Sequence, residues 1–226
     1  MINRKFQIES FSMSKPYVIA TFTKEQIQPI IEAVKNIKLN NLQEYNHQLS
    51  GNIEHEYDLI DNLDLVNYIT TMYKPIIKYH NKQTEYITNM TVNSDDTNIV
   101  LNRLWVNFQK KNEFNPIHTH SGLISFVIWL EIPYTIEEEK KNISGINSSM
   151  NVPGHFYFAY TCPVNISGIT VDTLPIDKTW EGKTALFPSS LSHGVYPFYS
   201  SDKYRISVSG NFMFDTSLQN QHYSNN

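Results

Sequence analysis

The chain has 226 residues, enough for one domain with a substantial core. Hydrophobic residues make up 40% and charged residues 18%, the balance of a soluble globular protein, which excludes a disordered one. A net charge of -4 gives no global electrostatic reason to bind nucleic acid. No apolar run approaches a membrane span, since the best candidate, Ile124 to Ile132, is strand length. The opening Met1-Ile2-Asn3-Arg4-Lys5-Phe6-Gln7 is too polar for a signal peptide, so a cytoplasmic location is expected. Cys162 is the only cysteine, which excludes an internal disulfide and a cysteine-based zinc site.

Helical period comes first along the chain. Thr21 or Thr23 is placed to cap a helix from Lys24 to Lys38, with Ile27, Ile30, Ile31, Val34 and Ile37 on one stripe. Pro29 inside it predicts a kink or a later start. A second helix is expected from Asp61 to Tyr79, with Leu63, Leu65, Val66, Ile69, Met72, Tyr73, Ile76 and Ile77 facing inward and Pro75 bending it. The stretch from Asn40 to Tyr57 reads as a polar loop, and Thr91 to Asn98 as a polar separator.

From Leu101 the period becomes two. Leu104, Val106 and Phe108 alternate with Trp105, Asn107 and Gln109. Further strands are expected at Ile124 to Ile132, His155 to Tyr160, Gly168 to Leu174, Lys183 to Phe187 and Tyr204 to Phe214. An aromatic load of 13% favours sheet as well. The segment from Thr135 to Pro153, with its run Glu137-Glu138-Glu139-Lys140-Lys141, reads as a solvated insertion loop. Helices followed by many short strands imply an α+β fold whose strands form a sandwich or barrel. A single domain is therefore expected over residues 1–226. Its parts are a helical support region (1–99), a strand-rich core (100–214) and a polar tail (215–226).

Against that frame three histidines and an arginine stand out. His118 and His120, at i and i+2, share a face if the chain is extended there, as Asn115-Pro116 favours. His193 lies in a strand-to-turn context, Phe187-Pro188-Ser189-Ser190-Leu191-Ser192-His193-Gly194, and can bring a third imidazole. Arg205, Ser207, Ser209 and Asn211 form one face of a strand whose other face is Tyr204, Ile206, Val208 and Phe212. An arginine among hydroxyls and amides makes sense where that face lines a polar pocket holding an anion. Three imidazoles around a metal with an open side, plus a carboxylate anchor, are what an iron-dependent oxygenase needs. Trp105, Asn107, Trp129 and Asn211 are candidates for the pocket wall. A three-histidine dioxygenase that uses no 2-oxo acid stays open, as does a metal-free binding module. Arg205 weighs against the former.

The order His118-Thr-His120, then Phe187-Pro-Ser189 before His193, then Arg205-Ile-Ser207 resembles the iron(II)/2-oxoglutarate-dependent oxygenases. The likeness is to the compact prolyl-hydroxylase-like members of marine bacteria and their phages. It is carried by Asn115-Pro-Ile-His-Thr-His-Ser-Gly122 and Gly182-Lys-Thr-Ala-Leu-Phe-Pro-Ser189, and it covers roughly residues 100 to 214. The resemblance implies a double-stranded β-helix (jelly-roll) core supported by N-terminal helices. It also implies Fe(II) as cofactor, with 2-oxoglutarate and dioxygen as cosubstrates. His118 and His193 match iron ligands, and Arg205 with Ser207 match the anchor of the distal carboxylate, while Trp105, Asn107 and Asn211 are expected around the cosubstrate. His120 stands where most of the superfamily has Asp or Glu. Either it is a third imidazole ligand, or it lies beside the metal and a water fills that position. The primary substrate, peptide or small molecule, is not legible; peptidyl proline is the substrate by analogy.

Overall fold

A computed structural model describes residues 7–9, 15–37, 45, 49–90, 99–141, 151–161 and 168–215. The N-terminal helix α1 spans Lys24–Ile37. Its start is a capping box: Thr23 Oγ1 accepts from Gln26 N at 3.4 Å, while Gln26 Oε1 accepts from Thr23 N at 2.8 Å. The helix runs through Pro29 without an early stop, with Ile27, Ile30, Val34 and Ile37 buried. Lys38, its expected end, lies outside the described residues. Helix α2, Leu63–Thr84, starts two residues later and ends five residues later than its periodicity predicts, and Leu63, expected to face inward, is its exposed first residue. Asn62 caps the start by accepting from Leu65 N at 3.1 Å. Glu85 ends it in the left-handed region, φ 52°, donating its N–H to Asn81 O. A short helix, α3, follows at Tyr86–Met90.

Two antiparallel sheets form the body. One has seven strands in the order β1 (Gln7–Glu9), β2 (Val18–Thr21), β9 (Lys183–Pro188), β6 (Ile124–Glu131), β11 (Arg205–Phe214), β4 (Ile99–Gln109) and β3 (His55–Asp58). The other has four, in the order β5 (Asn115–His118), β10 (Ser192–Val195), β7 (Phe156–Thr161) and β8 (Ile169–Leu174). From β4 onward the chain passes back and forth between the sheets, with only β7 and β8 consecutive in one of them. That is the winding of a double-stranded β-helix, or jelly roll. The α+β fold with supporting helices is therefore as expected, and the expected strands fall at their predicted places.

Three local expectations fail. The polar stretch expected as loop up to Tyr57 contains β3, whose Glu56 pairs in register with Asn107 on β4. The support region also contributes β1 and β2, which extend the larger sheet. The charge run after Thr135 forms helix α4, Ile136–Lys141, and Glu139 within it is fully buried. There the Glu139 carboxylate accepts from Tyr199 N at 2.7 Å and Ser200 N at 2.9 Å, so a distant loop supplies the donors that make its burial tolerable. The Thr91–Asn98 separator, part of the 135–153 insertion and the tail beyond residue 215 lie outside the described residues.

The helices cover the outer face of the larger sheet. Leu65, Ile69, Met72, Tyr73 and Ile76 of α2 join Phe126, Leu186, Val208 and Phe212 in one core. Tyr73 is fully buried, and its hydroxyl meets Thr184 Oγ1 at 2.6 Å. A second core, with Trp129, Phe156, Phe158, Phe187 and Phe198, fills the space between the sheets. The open end of that space carries the polar residues discussed next. Among the described residues no helix is long and apolar enough to cross a membrane.

Candidate metal centre and cosubstrate pocket

Strand pairing brings the three histidines together. His118 ends β5 and stands in register opposite His193 on β10. His120 lies just past β5, where its backbone N–H bonds Ser189 O at 2.9 Å. Ring centroids are 4.3 Å apart for His118 and His193, and 4.9 Å for each of the other two pairs. One ligand atom from each lies within 4.8 Å of the others, and among the described residues these three form a group able to hold a metal ion.

The local geometry also fixes the tautomers. His118 Nδ1 is 2.7 Å from Pro116 O, and His193 Nδ1 is 2.8 Å from Leu191 O. A carbonyl only accepts, so each Nδ1 carries the proton and each Nε2 offers a lone pair. His193 Nε2 lies 3.2 Å from His120 Nε2. Two nitrogens bound side by side to a metal at about 2.1 Å would stand roughly 3 Å apart, so this spacing fits a shared ion. Burial holds all three imidazoles neutral. It pulls His120 down to about 3, with His118 adding to the effect, and pulls His193 well below the usual histidine range, with His118 and His120 adding. His118 is lowered by burial too, and its bond to Pro116 opposes the shift. Neutral imidazole is the ligand form, so the donor set fits a first-row metal ion.

The cavity in front of the histidines is walled by transverse rows of the larger sheet. Glu56, Asn107, Ser207 and Trp129 make one row across β3, β4, β11 and β6. Gln109 and Arg205 make the next, and Trp105, Ser209 and Val127 flank the other side. His118, His120, His193, Trp105, Asn107, Trp129, Arg205 and Ser207 all line this cavity. Asn211 does not. It lines an adjoining polar recess with Arg103, Trp105 and His120, and its Oδ1 accepts from Ser125 Oγ at 2.8 Å. Trp105 bridges the two spaces, its ring 5.4 Å from that of His120.

Arg205 is 2% exposed, and neutral acceptors surround it. Its Nε and Nη2 both donate to Gln109 Oε1, at 3.2 and 2.5 Å. Nη1 donates to Tyr134 Oη at 2.5 Å and Gly154 O at 2.9 Å, and Nη2 also reaches Tyr196 O at 3.5 Å. Among the described residues it forms no ion pair with any carboxylate. A buried guanidinium held by amide, phenol and carbonyl oxygens alone is satisfied in hydrogen bonds but uncompensated in charge.

Glu56 is a site residue that the sequence does not disclose. It is 1% exposed, lines the same cavity, and its Oε2 has no hydrogen-bond partner. Burial, and secondarily the Glu113 carboxylate, push its carboxyl up to about 8. The folded state therefore holds a proton on Glu56 that the unfolded chain has released between pH ~4.5 and ~8. Stability from this group is complete below that window and is lost as pH rises through about 8. Glu56→Gln removes the titration, so at pH 8.5 the variant is expected to melt roughly 5 to 10 °C above the parent. The gap should close near pH 4.5, as melting curves at the two pH values would read; a gap independent of pH would contradict this.

Antiparallel jelly-roll sheets thus converge three neutral imidazoles at one mouth, beside a buried cation, an arrangement that fits a metal ion and an anionic small molecule. A family model described as 2OG-Fe(II) oxygenase matches residues 103–211, from within β4 to within the Arg205 strand. Over that stretch the chain is similar to the 2OG-Fe(II) oxygenases, a family that uses Fe(II) and 2-oxoglutarate. Solved structures share its fold. A prolyl-4-hydroxylase of Pseudomonas putida is 10% identical with a TM-score of 0.52, covering 88% of this chain and 93% of that one. A prolyl hydroxylase of Trichoplax adhaerens, solved with a hypoxia inducible factor peptide fragment, is 12% identical with a TM-score of 0.50, covering 93% and 87%. SnoN, an alpha-ketoglutarate-dependent epimerase of nogalamycin biosynthesis, is 12% identical with a TM-score of 0.53, covering 89% and 77%. Curated protein sequences give no match.

Proposed function

We propose that this chain is an Fe(II)/2-oxoglutarate-dependent dioxygenase that hydroxylates a peptide or small molecule while 2-oxoglutarate is converted to succinate. His118, His120 and His193 hold the iron, and Arg205, assisted by Ser207, holds the distal carboxylate of 2-oxoglutarate. The observation that carries this reading is the buried, charge-uncompensated Arg205 in the same cavity as three neutral, converging imidazoles. Bound iron supplies the dioxygen chemistry that couples decarboxylation of 2-oxoglutarate to oxidation of the substrate.

The protein's own part is positional. Pro116 O and Leu191 O orient two imidazoles so that their Nε2 lone pairs face the cavity. Phe156 and Phe187 pack on the His193 ring, at 5.7 and 4.7 Å between centroids, and keep water off its back. His120 supports three-imidazole ligation through its Nε2, which points at that of His193. Gln109 holds the two Arg205 nitrogens that a carboxylate would take as a pair. The incoming carboxylate displaces a neutral amide oxygen and brings the missing negative charge. Release of succinate from 2-oxoglutarate, dependent on ferrous iron and dioxygen, tests the reading; iron-loaded protein that releases none would end it.

Gln109 offers a sharper probe. Gln109→Glu places a permanent carboxylate against Arg205 and so competes with the cosubstrate. Its dissociation constant for 2-oxoglutarate is expected to rise at least tenfold, about 1.4 kcal/mol, with iron affinity unchanged. Calorimetric titration of variant and parent reads the difference, and equal affinities would count against the anchor role.

A further inference from the structure

The geometry points to Glu56 as the residue that selects the primary substrate, by binding an alkylammonium group on it beside the metal site. This rests on the oxygenase reading above, since it assigns part of that cavity to the substrate. Glu56 lies on β3, in the row it shares with Asn107, Ser207 and Trp129, and is not one of the three metal-binding side chains. Its carboxylate is buried, faces the cavity and has one oxygen without a donor. Asn107 Oδ1, its neighbour in register, is also buried without a donor, while Asn107 Nδ2 is turned to Ser207 Oγ at 3.4 Å. Asn115 adds a third oxygen. A Cβ built on Gly51 would stand 2.5 Å from Asn115 Oδ1 and 3.1 Å from Glu56 Oε1, so the missing side chain is what lets the two oxygens crowd one point.

No cation of the protein answers this group among the described residues. Lys110 pairs with Glu54, and Arg205 gives its N–H groups to Gln109, Tyr134, Gly154 and Tyr196. With Glu56 ionised, its carboxylate and the oxygens of Asn107 and Asn115 offer acceptors alone, which match a group that only donates. An ammonium has three N–H donors and no acceptor, whereas a water must also find a donor for itself. The position is costly for a free protein, because buried polar groups are normally paired and a buried carboxyl is normally compensated. Burial keeps the carboxyl protonated in the empty pocket, and an arriving ammonium would favour its ionised form. The anionic cosubstrate belongs at Arg205 and would be repelled by an ionised Glu56. The two residues thus divide the cavity between an anion and a cation.

The test titrates n-butylammonium and its uncharged analogue n-butanol into the iron- and 2-oxoglutarate-loaded protein under nitrogen, followed by protein NMR. The same titrations are made on the metal-free chain and on Glu56→Gln. The parent should bind n-butylammonium at least tenfold more tightly than n-butanol, with or without metal, and Glu56→Gln should bring the ratio near one. Should the variant fold poorly, the ratio in the parent still decides. Equal binding of the two probes, no binding of either, or selectivity that survives Glu56→Gln would overturn the assignment. Butylguanidinium, run alongside, should bind more weakly than n-butylammonium; stronger binding would overturn the ammonium assignment in favour of a guanidinium. Succinate release measured on the same samples separates the two readings. Release without cation selectivity faults Glu56 alone, and selectivity without release faults the oxygenase reading.

Discussion

Arg205→Ala is expected to raise the dissociation constant for 2-oxoglutarate at least 100-fold, about 2.7 kcal/mol, while iron affinity changes only a few-fold. The variant loses the one buried cation that lines the cavity among the described residues, and both donors that would face a carboxylate. It also strands acceptors on Gln109, Tyr134 and Gly154, so a fall in stability of about 3 kcal/mol should accompany it. Arg205→Lys keeps the charge with less strain on the fold, yet a point charge cannot replace the paired N–H geometry. It should bind 2-oxoglutarate between parent and alanine variant. Titration of 2-oxoglutarate into iron-loaded samples checks the series, and equal loss of iron and 2-oxoglutarate would contradict a dedicated anchor.

His193→Ala should cost still more metal affinity, at least 1000-fold for Fe(II), on the order of 4 kcal/mol. His193 is 3% exposed, packs against the rings of both His118 and His120, and has its tautomer set by Leu191 O. Its removal leaves two imidazoles and an apolar gap among Phe156, Phe158 and Phe187. His120→Ala distinguishes a third ligand from a bystander. Loss of iron affinity comparable to that of His118→Ala is expected, and an unchanged affinity would leave a water in that position. His120→Asp puts a carboxylate in the place where most of the oxygenases that this chain resembles have one. It should retain iron, since an anionic oxygen is as suitable a donor.

The histidine cluster and the arginine beside it were legible because their placement follows largely from local rules. An extended Asn115-Pro116 lead, two histidines at i and i+2, and a strand carrying Arg205 and Ser207 on one face need only the pleat to be read. The alternation of Trp105, Asn107 and Gln109 likewise announced a wall. What stayed hidden depends on partners distant in sequence. Strand β3 is four residues, His-Glu-Tyr-Asp, too short and too polar to show a period, and its pairing with β4 is what buries Glu56. Helix α4 has six residues, below the length at which an apolar stripe can be recognised, and Glu139 is buried only because a loop 60 residues away offers its N–H groups. The partners of Arg205 were equally invisible, since Tyr134, Gly154 and Tyr196 reach it from separate segments. Asn211 was placed on the correct strand face but one row too far from the cavity, and it serves Ser125 instead.

Anaerobic titration of Fe(II) into the parent and its His118, His120 and His193 alanine variants, each with and without 2-oxoglutarate, tests whether the three histidines hold iron beside the cosubstrate. One iron per parent chain is expected, with tighter iron binding when 2-oxoglutarate is present, reciprocally tighter 2-oxoglutarate binding when iron is present, and severe loss in the variants. Absence of iron binding by the parent, or iron binding indifferent to both His118 and His193, would contradict it.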